Sequence, residues 1–147
     1  MAHQVLTQFN SPNYTPGSQV PAFYGMSRTI DFIVIHWWGD PNSGPTFEGV
    51  VSWLCNSRSQ VSAHDVVTGT GRRVAFLVGN DNAAWHAGSS LGNAKGLGFE
   101  CDPRCRDEDY QVVAEDIAET WKFYGRIIPL LPHKHFKATA CPGNYDL

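Results

Sequence analysis

Apolar residues run unbroken through much of "IDFIVIHWW" (residues 30–38), a β-branched and aromatic stretch that reads as a buried strand with His36 near its end. "GDPNSGP" then breaks the chain. Phe47, Val50, Val51 and Leu54 follow at i, i+3, i+4 and i+7, the spacing of one helix face, with Pro45 suited to the first helical position. "VSAHDVVTG" and "RRVAFLVG" read as two strands joined around Gly69-Thr70-Gly71, a hairpin signal. "LGFEC" is a short strand carrying Glu100. Tyr110, Val113, Ile117, Trp121 and Tyr124 make the apolar stripe of a long helix, which Asp107 can cap and Gly125 can close. "RIIPLLPHKHFKATACPG" returns as an extended segment punctuated by Pro129 and Pro132.

Two stretches lack a period. Residues 1–29 are rich in Pro, Ser, Asn and Gly and read as an irregular N-terminal arm packed on the domain. "NDNAAWHAGSSLGNAKG" (80–96) reads as a long loop, and loops of that length often carry function. The order of strand, helix, hairpin, strand and helix predicts an α/β (mixed α+β) domain over residues 30–147, with a single central mixed β-sheet flanked by helices.

Composition narrows the class. A chain of 147 residues, 42% hydrophobic and 17% charged, can bury one respectable core. The net charge of −3, with no run of Lys or Arg, lacks the basic footprint of a nucleic-acid binder. Runs such as "FIVI" and "IIPLL" are too short to span a bilayer, so no membrane partner is expected. "MAHQVLTQFNSPNYTPG" has neither the basic start nor the apolar segment of a signal peptide, which predicts synthesis in a reducing cytoplasm. Cys55, Cys101, Cys105 and Cys141 are therefore expected as free thiols rather than as two disulfides of a secreted domain. The pair in "ECDPRC" stays open as a local bridge, since its three-residue spacer fits neither a zinc knuckle nor a thioredoxin-type motif.

One set of side chains suggests metal chemistry. Zinc favours imidazole nitrogen and thiolate sulfur, and a catalytic zinc takes three protein ligands. His36 at a strand end, with His133 and Cys141 on the terminal segment, is such a set. On spacing alone, His36 could equally be a satisfied structural histidine and the terminal cluster a coincidence.

Four ordered motifs carry a resemblance: "IVIHWWGD", "VSAHDVVTGTGRRVAFLVGNDNAAWHAG", "GLGFEC" and "HKHFKATACPG". Their order resembles the zinc-dependent N-acetylmuramoyl-L-alanine amidases, a family that includes phage lysozyme-type amidases, wall-recycling amidases and peptidoglycan recognition proteins. The likeness spans about residues 30–145. It implies a recognition-protein-like fold, Zn2+ held by His36, His133 and Cys141, and His135 as a neighbour outside the ligand set.

The resemblance also implies roles. Glu100 corresponds to the carboxylate that the recycling branch uses on water, whereas the phage-type Tyr is replaced here by Ala63. Thr139 stands where several family enzymes have Lys, and its uncharged hydroxyl can donate one hydrogen bond to an oxyanion. His86, Trp37, Trp85 and His64 are the expected substrate contacts, although each could be a core residue.

The implied substrate is bacterial peptidoglycan, cut between the lactyl group of N-acetylmuramic acid and L-Ala of the stem peptide. The implied context is a monomeric phage endolysin catalytic domain. It would be made in the host cytoplasm and reach the wall after membrane permeabilisation, with a wall-binding module possible beyond residue 147. The competing readings are a non-catalytic peptidoglycan-binding module, a cytosolic amidase for soluble anhydro-muropeptides, and a metal-free, disulfide-stabilised adhesion domain.

Overall fold

A computed structural model describes residues 3–147. Its strands are β1 (Gln4–Leu6), β2 (Tyr14–Thr15), β3 (Phe32–Trp37), β4 (Asp65–Thr68), β5 (Arg73–Phe76), β6 (Ala83–Ala84), β7 (Gly96–Cys101) and β8 (Leu130–Pro132). The α-helices are α1 (Val20–Tyr24), α2 (Phe47–Leu54), α3 (Ser90–Lys95) and α4 (Asp107–Tyr124). Six strands form one mixed sheet in the order β1-β5-β4-β7-β3-β8, and β2 pairs with β6 separately. Only the β4–β5 hairpin is antiparallel in the main sheet; β4, β7, β3 and β8 run parallel.

Side chains alternate across each strand, and the alternation builds two cores. Ile33, Ile35, Val67, Val74, Leu97 and Cys101 meet Val112, Val113 and Ile117 of α4. Val66 and Ala75 belong to a second core with Phe47, Val50, Val51 and Leu54 of α2. The helices thus cover opposite faces of the sheet, which is the layered arrangement that the order of elements predicts.

Several local expectations need correction. Within the 1–29 arm the described residues, 3–29, are not irregular: β1 extends the main sheet beside β5, β2 and α1 follow, and Arg28 donates to the carbonyls of Asn80, Ala94 and Gly96. Strands of two or three residues are too short to show a period, and their partners lie far along the chain. The 80–96 loop contains β6 and α3, the latter capped by Ser89 accepting from Gly92 N–H at 3.3 Å. Pro45 lies just outside α2, whose cap is Thr46. Asp107 lies inside α4; Asp109 instead closes the first turn by accepting from Arg106 N–H at 2.9 Å. All four cysteines are free, so "ECDPRC" forms no bridge.

Candidate metal centre and groove

Three adjacent parallel strands deliver the central side chains at their C-terminal ends, the usual place for a site on an open α/β sheet. His36 of β3 sits in register with Glu100 of β7. Pro132 of β8 pairs with Ile35 of β3, so the next residue, His133, emerges beside His36. The chain then turns back, and Lys134 N–H donates to the Cys141 carbonyl at 3.2 Å, tying Cys141 to the His133 turn. Gly143 lies against the Trp37 ring, where a Cβ would come within 2.2 Å of an indole carbon; its φ of +62° also suits glycine. That close approach seats the returning turn on the sheet.

His36, His133 and Cys141 converge, with one donor atom of each within 4.8 Å of the others. His36 Nδ1 is 3.7 Å from Cys141 Sγ and 3.6 Å from Glu100 Oε1. His133 donates Nε2–H to the Ala87 carbonyl at 2.9 Å, which leaves Nδ1 as its lone-pair nitrogen. His36 Nε2 lies 3.0 Å from His86 Nδ1. Trp37 N–H donates to Cys141 Sγ at 3.3 Å, a contact that favours the thiolate.

Burial holds His36 well below the usual imidazole range, and the neighbouring His133 adds to this. The same burial, with Glu100 nearby, pushes the Cys141 thiol up to about 12. Burial alone pushes Glu100 up to about 8. A neutral imidazole is what a metal requires, whereas a protonated thiol is not; a divalent cation at this point would reverse the thiol's preference. Two imidazoles and one thiolate of this geometry fit Zn2+ and leave a fourth position for solvent or substrate. His135 stays outside this set and packs edge-on against Phe136.

A groove of about 580 Å³ opens over the cluster. Glu100, Thr139 and the three candidate ligands line it together with Trp53, Val61 and Trp85. The Glu100 side chain is 14% exposed, enough to reach the groove while staying largely dry. Thr139 is exposed, and its Oγ1 accepts from Cys141 N–H at 3.2 Å, which leaves the hydroxyl proton free to donate.

The expected substrate contacts divide. Trp37 and Trp85 do line the groove, although the Trp85 indole N–H is committed to Thr15 Oγ1 at 3.0 Å. His86 lines it too, but its polar atoms turn inward: Nδ1 meets His36, and Nε2 is buried with no partner among the described residues. His64 is corrected outright. It is fully buried, its Nδ1 accepts Gly98 N–H at 3.0 Å, and its Nε2–H donates to the Asn82 carbonyl at 2.8 Å. Backbone partners absorb the whole ring, so nothing remains for a substrate.

Trp53 is the groove residue that sequence reasoning missed. At 55% exposure on α2 it is a large aromatic face left open beside the candidate ligands. The available signal was its position off the Phe47-Val50-Val51-Leu54 stripe, which marks it as outward-facing.

The model of the N-acetylmuramoyl-L-alanine amidase family matches residues 26–144. The chain belongs to that family. Among solved structures, the amidase chain is similar in fold to the catalytic domain of XlyA, with a TM-score of 0.70 and 22% identity over 95% of this chain and 90% of that one. A mutant endolysin from Bacillus subtilis gives a TM-score of 0.71 at 16% identity over 96% and 90%. The N-acetylmuramoyl-L-alanine amidase LysC from Clostridium intestinale URNW gives 0.68 at 17% identity over 97% and 91%. No curated protein sequence matches the chain. The amidase is thus a mixed α+β protein with a central mixed sheet flanked by helices, as the element order and the resemblance both implied.

Proposed function

We propose that this amidase is zinc-dependent and hydrolyses the amide between the lactyl group of N-acetylmuramic acid and L-Ala of the peptidoglycan stem. One observation carries the reading. A largely dry carboxylate, Glu100, sits 3.6 Å from an imidazole of a two-histidine, one-cysteine cluster that lines an open groove.

His36, His133 and Cys141 hold the ion, which when bound supplies Lewis acidity toward the amide carbonyl and makes water a competent nucleophile near neutral pH. Glu100 takes a proton from the attacking water and returns it to the leaving amine nitrogen as the C–N bond breaks. Its raised pKa suits that exchange, because a carboxyl poised nearer neutrality both accepts and donates readily. The Thr139 hydroxyl donates to the oxygen that gains charge as the carbonyl carbon becomes tetrahedral. Trp53, Trp85 and Trp37 offer apolar and aromatic surface along which glycan and peptide can lie.

The biological setting that fits is that of a wall-lysing enzyme of phage type. Among the described residues no helix is long and apolar enough to cross a membrane. The test is digestion of purified sacculi followed by mass spectrometry. Release of stem peptides with a free L-Ala amine, abolished by chelation and restored by zinc, is the expected result. Products cut at a glycosidic bond or within the stem would refute it.

A further inference from the structure

Both imidazoles of the cluster lean on one dipeptide. Ala87 supplies the carbonyl that receives His133 Nε2–H, and His86 supplies the ring nitrogen facing His36 Nε2. The dipeptide is itself pinned: Asn93 Oδ1 accepts from His86 N–H at 3.1 Å and from Ala87 N–H at 2.8 Å. His86 fits because residue 98 is glycine; a Cβ there would lie 2.5 Å from His86 Cγ.

The hydrogen-bond logic then runs one way. A neutral histidine that offers Nδ1 to a metal must keep its proton on Nε2. His36 Nδ1 is the nitrogen turned toward Cys141 Sγ and Glu100 Oε1, so Nε2 carries the proton and His86 Nδ1 must accept it. His86 is therefore protonated on Nε2. That side of the ring has no partner to demand the opposite tautomer. His64, edge-on to His86 with ring centroids 5.9 Å apart, is already fixed by Gly98 N–H and the Asn82 carbonyl and cannot compete.

We propose that His86 is a positioning residue that receives the Nε2 proton of His36 and so presents His36 Nδ1 to zinc, while Asn93 holds the 86–87 backbone that does the same for His133. The inference rests on the metal reading above and goes beyond it by assigning the tautomer of each histidine to a named partner. It also replaces the substrate-contact role expected for His86.

The test measures zinc dissociation constants by chelator competition for wild type, His86→Leu, His86→Asn and Asn93→Leu, with circular dichroism and thermal midpoint of each metal-free protein as controls. Asparagine keeps an acceptor near the position of Nδ1; leucine fills similar volume without one. His86→Leu and Asn93→Leu should bind zinc about 10- to 100-fold more weakly, the usual loss when a ligand's outer partner is removed. His86→Asn should stay within about threefold of wild type, because the acceptor is what matters. Nitrogen-15 spectra of metal-free wild type should show His36 as the Nε2–H tautomer, and in His86→Leu that preference should be lost.

Wild-type zinc affinity in a folded His86→Leu, with His36 still Nε2–H, would overturn the proposal and leave the zinc reading intact. Equal losses in the Leu and Asn variants would also overturn it, by showing that ring volume and not the acceptor matters. A wild-type protein that binds no zinc would remove the metal reading itself.

Discussion

Two of the places where this protein buries acidic side chains differ in what faces them. Glu100 lies near the end of β7 beside the His36 imidazole and lines the groove. Asp65 of β4 and Asp116 of α4 are buried close enough to raise one another's electrostatic cost, with 5% and 2% exposure. Burial raises the pKa of all three, so a raised pKa does not by itself separate function from structure. Geometry separates them. Glu100 has a candidate donor set in front of it, whereas the aspartates, although they too line a surface groove, face no such set among the described residues.

The histidines repeat the contrast. His64 spends both ring nitrogens on backbone groups, Gly98 N–H and the Asn82 carbonyl. His36 and His133 each spend one, and a ring nitrogen of each lies within 4.8 Å of Cys141 Sγ.

The strongest way to break the first comparison is Glu100→Gln. The amide keeps the shape but cannot take a proton, so kcat on sacculi should fall by about 10²–10⁴-fold, while zinc content by metal analysis stays near wild type. Retained turnover would move the base elsewhere. Cys141→Ser separates binding from chemistry on the same side of the comparison. A hydroxyl is a poor replacement for thiolate, so zinc content and activity should fall together, with activity partly recovered in excess zinc. Undiminished zinc in that variant would remove Cys141 from the ligand set.

The aspartate pair should respond in the opposite sense. Asp116 is raised to about 6 and Asp65 further, both by burial first. The folded protein therefore holds protons that the unfolded chain releases near the ordinary aspartate value, and stability present at low pH is lost as pH rises through the folded values. Asp116→Asn removes one of the two charges that would otherwise have to coexist. Above pH 6 the variant should be more stable than wild type by about 1–3 kcal/mol, since each tenfold change in proton affinity is worth roughly 1.4 kcal/mol. Its thermal midpoint should fall less between pH 5 and pH 8, and its turnover should be unchanged. A midpoint that falls as steeply as in wild type would show that the pair is not the source of the penalty.

Legibility followed the range of the interactions. The β3 strand, the α2 stripe, the hairpin and α4 announce themselves through periods of two or 3.6 residues within one window. Strands β1, β2 and β6 do not, because two or three residues carry no period and their pairing is decided by distant edges. The candidate ligands His36, His133 and Cys141 were legible only through motif order, since nothing in spacing shows that β8 lies beside β3. His64 and His86 misled for a related reason: the His64 ring nitrogens are taken by backbone groups at positions 82 and 98, and His86 Nδ1 faces His36 of a distant strand, none of which the local sequence around either histidine reveals. Trp53 lies outside every motif, and only the turn of α2 against the sheet brings it to the groove.

Trp53 also supplies the mildest test of the comparison, since it asks whether the groove extends function beyond the metal cluster. Its ring is 55% exposed, while Trp121, on the closed side of the sheet, packs against the core and donates its indole N–H to the Ile128 carbonyl at 2.9 Å. A wet aromatic face lining the groove, where its counterpart across the sheet is packed away, points to surface kept open for a ligand. Truncating it removes contact area without touching the reacting atoms, so ground state and transition state should lose equally. Trp53→Ala should raise KM on wall fragments by about fivefold to tenfold, near 1 kcal/mol, with kcat and the thermal midpoint close to wild type. Trp53→Phe should recover most of the loss, because a six-membered face remains. A kcat loss at unchanged KM would instead place Trp53 in the support of the reacting end of the groove, and the division between reacting end and binding wall would have to be redrawn.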